Sequence, residues 1–539
     1  MNSSAVVLPK SLKGYFFVME KKRMSLQNPI IWIILSAVFS ALPISDPFVF
    51  FLSWVSFAPF FCAILKKAGQ GKWHHAFGRG LLFGFVYHVC IYFWFCALYP
   101  MGYTGLSKFV AVIIVLLAWF GISLAHGLLY VIPTLLCHFA SKKVKSKTFL
   151  VFLAVLGILI AQKITSFSEL AFPWVRASLG QYRVPLLIQS ASLFGMDGLD
   201  FILLSVSALV ALYLLSESAK RKAYLFAALF VFLGNALFGG IYLLLPESGN
   251  SIQVSCVQGC VMPEDKWDGK ETAYTTLLNL TMSSSPGKSD LIVWPETAIP
   301  QNLYRYPIFI EAYQEICEIA DASMITGCFY KLDGVTSNSA ILVTADSVSE
   351  PFSKRQLVPF GEKVPFRPFF DLLFPFLGDI NMTSSDLAQG EGSMIMHDRF
   401  GSYGAIICYE STFPHLCRES VLDGAQMLVV VTNDSWYKDS AGVRQHLAHS
   451  VFRSVENGRS VARCANSGIS ALIDSHGRIV EELGPLEQGV IRGEIAFSDR
   501  TTLYTLVGDV FLPIFGLSMA AWFFFLVFQK KRINYDGEN

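Results

Sequence analysis

Charged residues are scarce in this sequence. Only 15% of its 539 residues are charged and 53% are hydrophobic, whereas about 25% of a typical soluble domain is charged. Together with a mean hydropathy of +0.48, this composition excludes a disordered chain, a coiled coil and a fully soluble protein of this size. The net charge of +1 gives no electrostatic argument for binding nucleic acid.

Several signatures of familiar site chemistries are also missing. None of the 11 cysteines belongs to a CxxC pair, so neither a zinc ribbon nor a dithiol redox motif is predicted. There is no HExxH, GxSxG or P-loop motif. His446 and His449 share one face of a predicted helix, but no third ligand is evident near them, so packing is favoured over metal binding. We therefore expect neither a metal ion nor a cofactor.

Long apolar runs fill the first half of the chain and recur near its end. Each is about as long as a helix that crosses a hydrocarbon layer of roughly 30 Å, although the run at 109–140 is too long for one straight span and is expected to be tilted or extended. Residues 246–502 have ordinary charge density. The sequence thus predicts a leader (1–28), seven spans within 29–245 (29–45, 47–65, 80–99, 109–140, 149–165, 186–215 and 223–245), a soluble domain (246–502), an eighth span (503–529) and a tail (530–539).

The basic residues between the spans predict an orientation. Lysine and arginine accumulate in both tails and in every second loop, and such loops face the cytoplasm. Both termini are therefore expected in the cytoplasm and the soluble domain in the periplasm. The basic start also resembles a signal peptide, but the closely following second span favours an uncleaved anchor, with Met19 and Met24 as alternative start sites. The basic loops are 66–79, 142–147 and 220–222, and the basic-poor loops are 42–47, 98–108 and 166–185.

The soluble domain is predicted to be an α/β domain with two stacked sheets between helices. Continuous apolar strands such as LIVW (291–294) and LVVV (428–431) are typical of sheets buried on both faces. Three reactive side chains adjoin such segments. Glu296 ends LIVWPE, Lys354 precedes the turn LVPFGE, and Cys408 ends YGAIIC. Taken alone, each is explained as a loop glutamate, a solvated lysine or a small buried thiol.

Together, a glutamate, a lysine and a cysteine at strand ends in this order resemble the Glu–Lys–Cys triad of the nitrilase superfamily. VTNDSWY and the segment after it add to that likeness. A nitrilase-like domain between seven spans and an eighth is similar to the bacterial apolipoprotein N-acyltransferases, as are WPET, CYE, LVPFGE, VQG (257–259) with Trp267, and FPW (172–174). The resemblance covers nearly the whole chain. Cys260 and Lys363 depart from the family pattern outside the triad. The resemblance implies a polytopic α-helical membrane domain of about eight spans with an α/β domain built as an α-β-β-α sandwich.

The resemblance also implies an enzyme of the inner membrane that moves a fatty acyl chain in two steps. Cys408 would take the chain from a phospholipid as a thioester, with Glu296 as the base and Lys354 beside the developing oxyanion. The acceptor would be the α-amino group of the N-terminal diacylglyceryl-cysteine of an apolipoprotein. The expected partners are thus a phospholipid, an apolipoprotein and the bilayer.

Four further residues are expected around the triad. The backbone N–H of Tyr409 would help bind the oxyanion, and Glu362 or Glu410 would pair with Lys354, because three glutamates cannot all be free anions at one place. The alternative for Glu410 is a salt bridge to Arg459 or Arg463. By resemblance, Trp267 belongs to a mobile arm over the site, although a tryptophan at the membrane interface is the simpler interpretation.

The phenylalanine-rich segment 364–382 is too short and too interrupted by prolines to span the membrane. It is interpreted as an interfacial arm or lid, with a core helix as the alternative.

Three other functions compete with acyl transfer. A membrane-tethered amidase would use the same triad with water as the acceptor, but a small soluble substrate does not need eight spans. A non-catalytic lipid- or protein-binding domain would be free to lose the triad, which is intact here. A coupled transporter usually has more charges inside its spans than Asp46 and Asp197, which lie near span ends.

Overall fold

The first half of the chain folds into a bundle of apolar helices. Among the residues that the computed structural model describes, seven helical segments are long and apolar enough to cross a membrane, and Pro29–Ser45 is apolar but shorter, at 17 residues. With that helix the bundle agrees with the predicted spans, and the chain is a multi-pass membrane protein. The structure describes residues 28–101, 106–217, 219–247, 249–262, 272–284, 287–302, 306–373 and 387–536. The bundle helices before the α/β domain are α1 (Pro29–Ser45), α2 (Ala58–Lys67), α3 (Trp73–Ile91), α4 (Lys108–Leu129), α5 (Val131–Ala140), α6 (Lys147–Ile164), α7 (Pro185–Ile188), α8 (Ala191–Leu215) and α9 (Lys220–Tyr242).

The long run at 109–140 is helical on both sides of a break at a single residue, Tyr130. Helix α4 ends at Leu129 and α5 begins at Val131. Pro133 explains the break, because its nitrogen cannot donate to the Leu129 carbonyl and its ring would clash with that group.

The α/β domain contains two stacked sheets with helices on their outer faces, which confirms the predicted α-β-β-α sandwich. The first sheet has the order β13-β1-β2-β4-β5-β6, with β3 paired to β4, and the second has the order β12-β11-β10-β9-β8-β7. The central strands β8, β9 and β10 are parallel, and all their residues except Ser402 are buried, as expected for a sheet covered on both faces.

The strands are β1 (Ser251–Gln258), β2 (Leu291–Val293), β3 (Ile299–Asn302), β4 (Ser323–Leu332), β5 (Val335–Val343), β6 (Phe352–Ser353), β7 (Ile395–His397), β8 (Ser402–Ile407), β9 (Met427–Thr432), β10 (Ser460–Ala465), β11 (Ser470–Ile473), β12 (Ile479–Leu483) and β13 (Gly489–Ala496). The helices of the domain are α10 (Thr272–Ser284), α11 (Pro307–Ala320), α12 (Arg367–Leu373), α13 (Pro414–Leu422) and α14 (Ala441–Asn457).

The chain returns to the bundle through two helices after the α/β domain. Helix α15 (Leu503–Val507) is separated from α16 (Phe511–Asp536) by Gly508, which has a φ of +65°. Glycine adopts this left-handed conformation without steric cost, so it allows the sharp change of direction. The membrane-crossing part of the last apolar segment therefore begins at α16, and α16 packs against α6.

The loop of residues 165–184, which joins α6 to α7, connects the bundle to the α/β domain. Buried Arg176 forms ion pairs with Asp197 and Asp200 of α8 and so fixes the loop to the bundle. On the other side, the Trp174 Nε1–H donates to Oε1 of Gln445 in α14 at 2.7 Å. The loop is thus bonded to α8 through Arg176 and to α14 through Trp174. It therefore lies between the bundle and a helix of the second sheet.

Candidate active site

The three predicted reactive side chains meet at the ends of their strands. Lys354 follows β6 and Cys408 follows β8, while Glu296 lies three residues beyond β2. The Lys354 Nζ donates to Oε1 of Glu296 at 3.2 Å. All three side chains are buried, and Cys408 is 8% exposed. A single small site therefore holds a thiol, a cation and a carboxylate.

The Cys408 thiol is protonated at rest. Burial raises its pKa, the Glu296 carboxylate raises the pKa further, and the Lys354 ammonium opposes both effects. Because only the thiolate is a strong nucleophile, this cysteine needs a base that takes its proton as it reacts. Among the carboxylates that raise the pKa of Cys408, Glu296 has a larger effect than Asp434, so Glu296 is the candidate base.

Lys354 is held between two carboxylates. Its Nζ donates to Oε1 of Glu362 at 2.9 Å as well as to Glu296. Burial alone would lower the pKa of Lys354, but Glu296 and Glu362 outweigh it and raise that pKa well above its ordinary value. Lys354 is thus a permanent cation, and Glu362, not Glu410, is the glutamate that pairs with it.

Two asparagines that the sequence analysis did not identify orient these carboxylates. The Asn338 Nδ2 donates to Oε1 of Glu296 at 2.7 Å and to Oε1 of Glu362 at 3.1 Å. The Asn433 N–H donates to Oε2 of Glu296 at 2.7 Å. Asn433 stands in the VTND segment, which had been compared with the nitrilases without a role for any of its residues. Glu296 therefore accepts hydrogen bonds from both sheets, and its carboxylate is fixed in direction.

Glu410 binds backbone groups instead of a cation. Its Oε1 accepts from the N–H groups of Arg355 at 2.6 Å and Gln356 at 3.2 Å, and its Oε2 accepts from the N–H of Ile407 at 2.8 Å. Burial raises the pKa of Glu410, and these N–H donors oppose that shift. The carboxylate thus ties the segment after Lys354 to the strand that ends at the nucleophile.

The predicted alternative for Glu410, a salt bridge to Arg459 or Arg463, is wrong. The Arg459 guanidinium donates to backbone carbonyls, among them that of Ala425 at 2.7 Å. The Arg463 guanidinium donates to Oδ2 of Asp434 at 2.7 Å. Both guanidinium groups thus donate to other acceptors, and the Glu410 carboxylate accepts from backbone N–H groups.

Replacing Glu410 by glutamine is expected to destabilise the protein by about 1–3 kcal/mol and to slow acylation about 10-fold or more. Each oxygen of Glu410 faces backbone N–H donors, so the amide NH2 of glutamine would oppose a donor and leave a buried group unsatisfied. Thermal unfolding and the rate of Cys408 acylation measure the two effects. Glu419→Gln, at a half-exposed residue that bonds Arg355, is the control, and equal effects of both changes would contradict the role of Glu410.

Tyr409 is buried against the 165–184 loop. Its hydroxyl donates to the Ala171 carbonyl at 2.6 Å, and its ring stacks on Phe172 with centroids 5.8 Å apart. The residue after the nucleophile is therefore attached to the membrane bundle. The FPW motif begins at this Phe172, so the position of that motif is explained by contact with the active-site turn.

The two other predicted substrate elements lie wholly or partly outside the described residues. Trp267 is outside them. Of the segment 364–382, the structure describes only residues 364–373, which include α12. Leu372 is 79% exposed and Phe369 is 57% exposed, so a core helix is wrong for this part of the segment.

The two histidines, His446 and His449, are buried and have polar partners. The His446 Nδ1 lies 2.8 Å from Oδ1 of Asp434, and the His449 Nε2 lies 3.1 Å from the Trp174 carbonyl. Cys408, Asp434 and His446 bring potential ligand atoms within 4.8 Å of one another. However, the guanidinium of Arg463 already binds Asp434, and this cation disfavours a metal ion at the same carboxylate.

Comparisons with known proteins agree with this architecture. Residues 253–504 match the carbon-nitrogen hydrolase family, and residues 36–209 match the apolipoprotein N-acyltransferase N-terminal domain. An apolipoprotein N-acyltransferase of Geobacter metallireducens is 27% identical over 93% of this chain and 96% of its own length. One of Chlorobaculum tepidum is 31% identical over 65% of this chain and 72% of its own. A CN-hydrolase superfamily protein of Xanthomonas campestris covers 46% of this chain and 91% of its own, with 20% identity and a TM-score of 0.35.

Proposed function

The chain belongs to the apolipoprotein N-acyltransferase family, and from this premise we propose how its own residues carry out the acyl transfer. The donor is a membrane phospholipid, and the acceptor is the free α-amino group of an N-terminal diacylglyceryl-cysteine. The observation that carries this proposal is the buried contact of Lys354 with Glu296 beside Cys408, in a domain whose active-site turn touches the membrane bundle. Such a site lies next to the membrane bundle, and its reactive side chains are buried from bulk water.

In the first half-reaction, Glu296 takes the proton of the Cys408 thiol while the sulfur attacks an ester carbonyl of the phospholipid. The resulting oxyanion lies beside the Lys354 ammonium and the backbone N–H of Tyr409, and each such donor typically contributes about 3–4 kcal/mol to the transition state. The intermediate then collapses. The carbon–oxygen ester bond breaks, and Glu296 returns the proton to the alkoxide. The lysophospholipid departs, and the acyl chain remains on Cys408 as a thioester.

In the second half-reaction, the α-amino group of the acceptor attacks the thioester carbonyl. Glu296 takes a proton from the attacking nitrogen, the carbon–sulfur bond breaks, and Cys408 recovers its proton. The product is an amide on the lipoprotein. The two substrates therefore react in turn at one sulfur atom, which gives ping-pong kinetics.

The thioester must survive until the acceptor arrives, so water has to be kept from it. Glu296, Lys354 and Glu362 are each less than a tenth exposed, and their described hydrogen bonds are made with protein groups. This burial favours the acyltransferase over the amidase that would use water. The exposed apolar face of α12 serves in this proposal as part of an arm that meets the lipid.

The same proposal places the α/β domain in the periplasm of a bacterium and both termini in the cytoplasm, with the bundle in the inner membrane. The alternation of basic and basic-poor loops supports this orientation. Cys408 then lies on the side of the membrane on which exported lipoproteins carry their lipid.

The test is mass spectrometry of the full-length protein in detergent after incubation with a phospholipid of defined acyl chains. We expect an acyl adduct on the Cys408 peptide that hydroxylamine removes and that a synthetic diacylated lipopeptide discharges, with the acyl chain recovered on its α-amino group. Cys417→Ala, at another buried thiol of the same domain, is the control and should keep the adduct.

Two results would replace this proposal. An adduct that water discharges as fast as the lipopeptide does would identify a hydrolase. A folded protein that binds phospholipid but forms no adduct on Cys408 would identify a lipid-binding domain.

A further inference from the structure

We propose that His446 is a positioning residue for Cys408, and that the membrane bundle supports the nucleophile through it. The proposal rests on the function proposed above and adds a role that the triad does not include. His446 lies on α14, outside the triad, and touches the nucleophile through its backbone: its Nε2 is 3.1 Å from the Cys408 carbonyl oxygen.

Cys408 needs such support because its backbone is strained. Its φ is +53°, a left-handed conformation that is sterically unfavourable for a residue with a Cβ. The conformation arises where β8 passes into the short turn Cys408–Thr412. It directs the side chain out of the sheet edge and towards Lys354 and Glu296, so a relaxed backbone would move the sulfur away from both.

The turn is held on both sides of the nucleophile. Before it, the Glu410 carboxylate accepts the Ile407 N–H. After it, the Cys408 carbonyl accepts from the Ser411 hydroxyl at 2.9 Å and faces the His446 Nε2. The Ser411 hydroxyl also lies 3.1 Å from the His446 Nε2, so the imidazole, this hydroxyl and the Cys408 carbonyl form one hydrogen-bonded group.

His446 is in turn fixed by charged groups. Its Nδ1 lies 2.8 Å from Oδ1 of Asp434, whose Oδ2 accepts from the Arg463 guanidinium at 2.7 Å. Burial raises the pKa of Asp434, but Arg463 and His446 outweigh it and hold that pKa below its ordinary value. Asp434 is therefore a permanent anion that sets the direction of the imidazole ring.

The other face of the His446 ring contacts the membrane bundle. The Trp174 ring lies 5.4 Å from it at an interplanar angle of 31°. The Trp174 indole N–H is bonded to Gln445 and the Trp174 carbonyl to His449, the residue before His446 and the residue one turn after it. Trp174 thus packs His446 against the turn. The 165–184 loop is connected to the Cys408 carbonyl through two contacts, Trp174 with His446 and His446 with the carbonyl.

The role is tested with two substitutions of similar size. His446→Gln can place its amide group where the Nε2 stood, whereas the shorter His446→Asn can place one only where the Nδ1 faces Asp434. We expect His446→Asn to lower the rate of Cys408 acylation by about 10- to 100-fold, the effect of one lost buried hydrogen bond. His446→Gln should stay within about 3-fold of the unchanged protein.

The apparent KM for phospholipid should not change in either variant, because His446 touches the nucleophile and not the lipid. His397→Asn, at an exposed histidine of β7, is the control and should behave as the unchanged protein. Equal losses in the glutamine and asparagine variants with equally lowered thermal midpoints would reduce His446 to a packing residue and overturn the proposal, as would a raised KM with an unchanged acylation rate.

Alkylation of Cys408 by iodoacetamide separates this proposal from the function on which it rests. The reaction needs no phospholipid and depends on how the sulfur is held beside Lys354. We expect alkylation to be slower in His446→Asn than in His446→Gln even if no lipid adduct forms in any variant. An unchanged protein that is alkylated but never acylated would reject the acyltransferase mechanism alone, whereas equal alkylation rates in the two variants would reject the role of His446 alone.

Discussion

Cys408→Ala is expected to abolish acyl transfer, with a loss of at least ~10⁴-fold, while the protein keeps its fold. The sulfur forms the bond to the acyl chain, so no other group of the site can replace it in the first half-reaction. The remaining partners, Lys354, Glu296 and Glu362, bind one another without the thiol. Transfer of a labelled acyl chain to a diacylated lipopeptide measures the loss, and thermal unfolding measures the fold.

Cys408→Gly is the matched variant, because it also lacks the sulfur but adopts a φ of +53° without steric cost. It should be as inactive as the alanine variant and more stable than it by about 1 kcal/mol. Such a difference would measure the strain that the native turn stores at its nucleophile. Transfer by Cys408→Ala above about one per cent of the unchanged protein would be inconsistent with a Cys408 thioester.

The meeting of Glu296, Lys354 and Cys408 could be predicted because each residue ends a local pattern and because the three together resemble the nitrilase triad. LIVWPE, SKRQLVPFGE and YGAIICYE each place one reactive residue at the edge of a buried sheet, where such sites are built. The sandwich and its long helices were predictable for the same reason, since continuous apolar strands and apolar runs are local features.

The residues that hold the triad could not be predicted in this way, because their partners are distant in the chain and often belong to the backbone. Glu410 binds N–H groups of Arg355 and Gln356, and no sequence pattern identifies a backbone donor. Asn338 of β5 donates to both Glu296 and Glu362. In the sequence SNSAIL, however, nothing distinguishes it from any other polar residue of a strand. Pro133 was a sequence signal for the break between α4 and α5, but the continuous apolar run of 109–140 favoured an uninterrupted helix.

Lys354→Met is expected to damage both activity and stability, and the two losses have different origins. The ammonium stabilises the oxyanion, so its removal should lower the acylation rate by about 10²–10³-fold or more. It is also the cation between Glu296 and Glu362. Without it two buried carboxylates face each other with no cation between them, and breaking a buried ion pair in this way typically costs about 3–5 kcal/mol.

A second substitution separates these two effects. In Lys354→Met with Glu362→Gln, one of the two repelling charges is gone, so part of the lost stability should return while acylation stays as low as in the single variant. Lys354→Arg should keep the fold, because it keeps a cation, but the planar guanidinium cannot place one donor where the ammonium stood, and acylation should still fall. Measuring the thermal midpoint and the Cys408 adduct in all three variants gives the comparison. If the double variant recovered acylation together with stability, Lys354 would act only by neutralising its two carboxylates, and the oxyanion would depend on backbone donors such as the N–H of Tyr409.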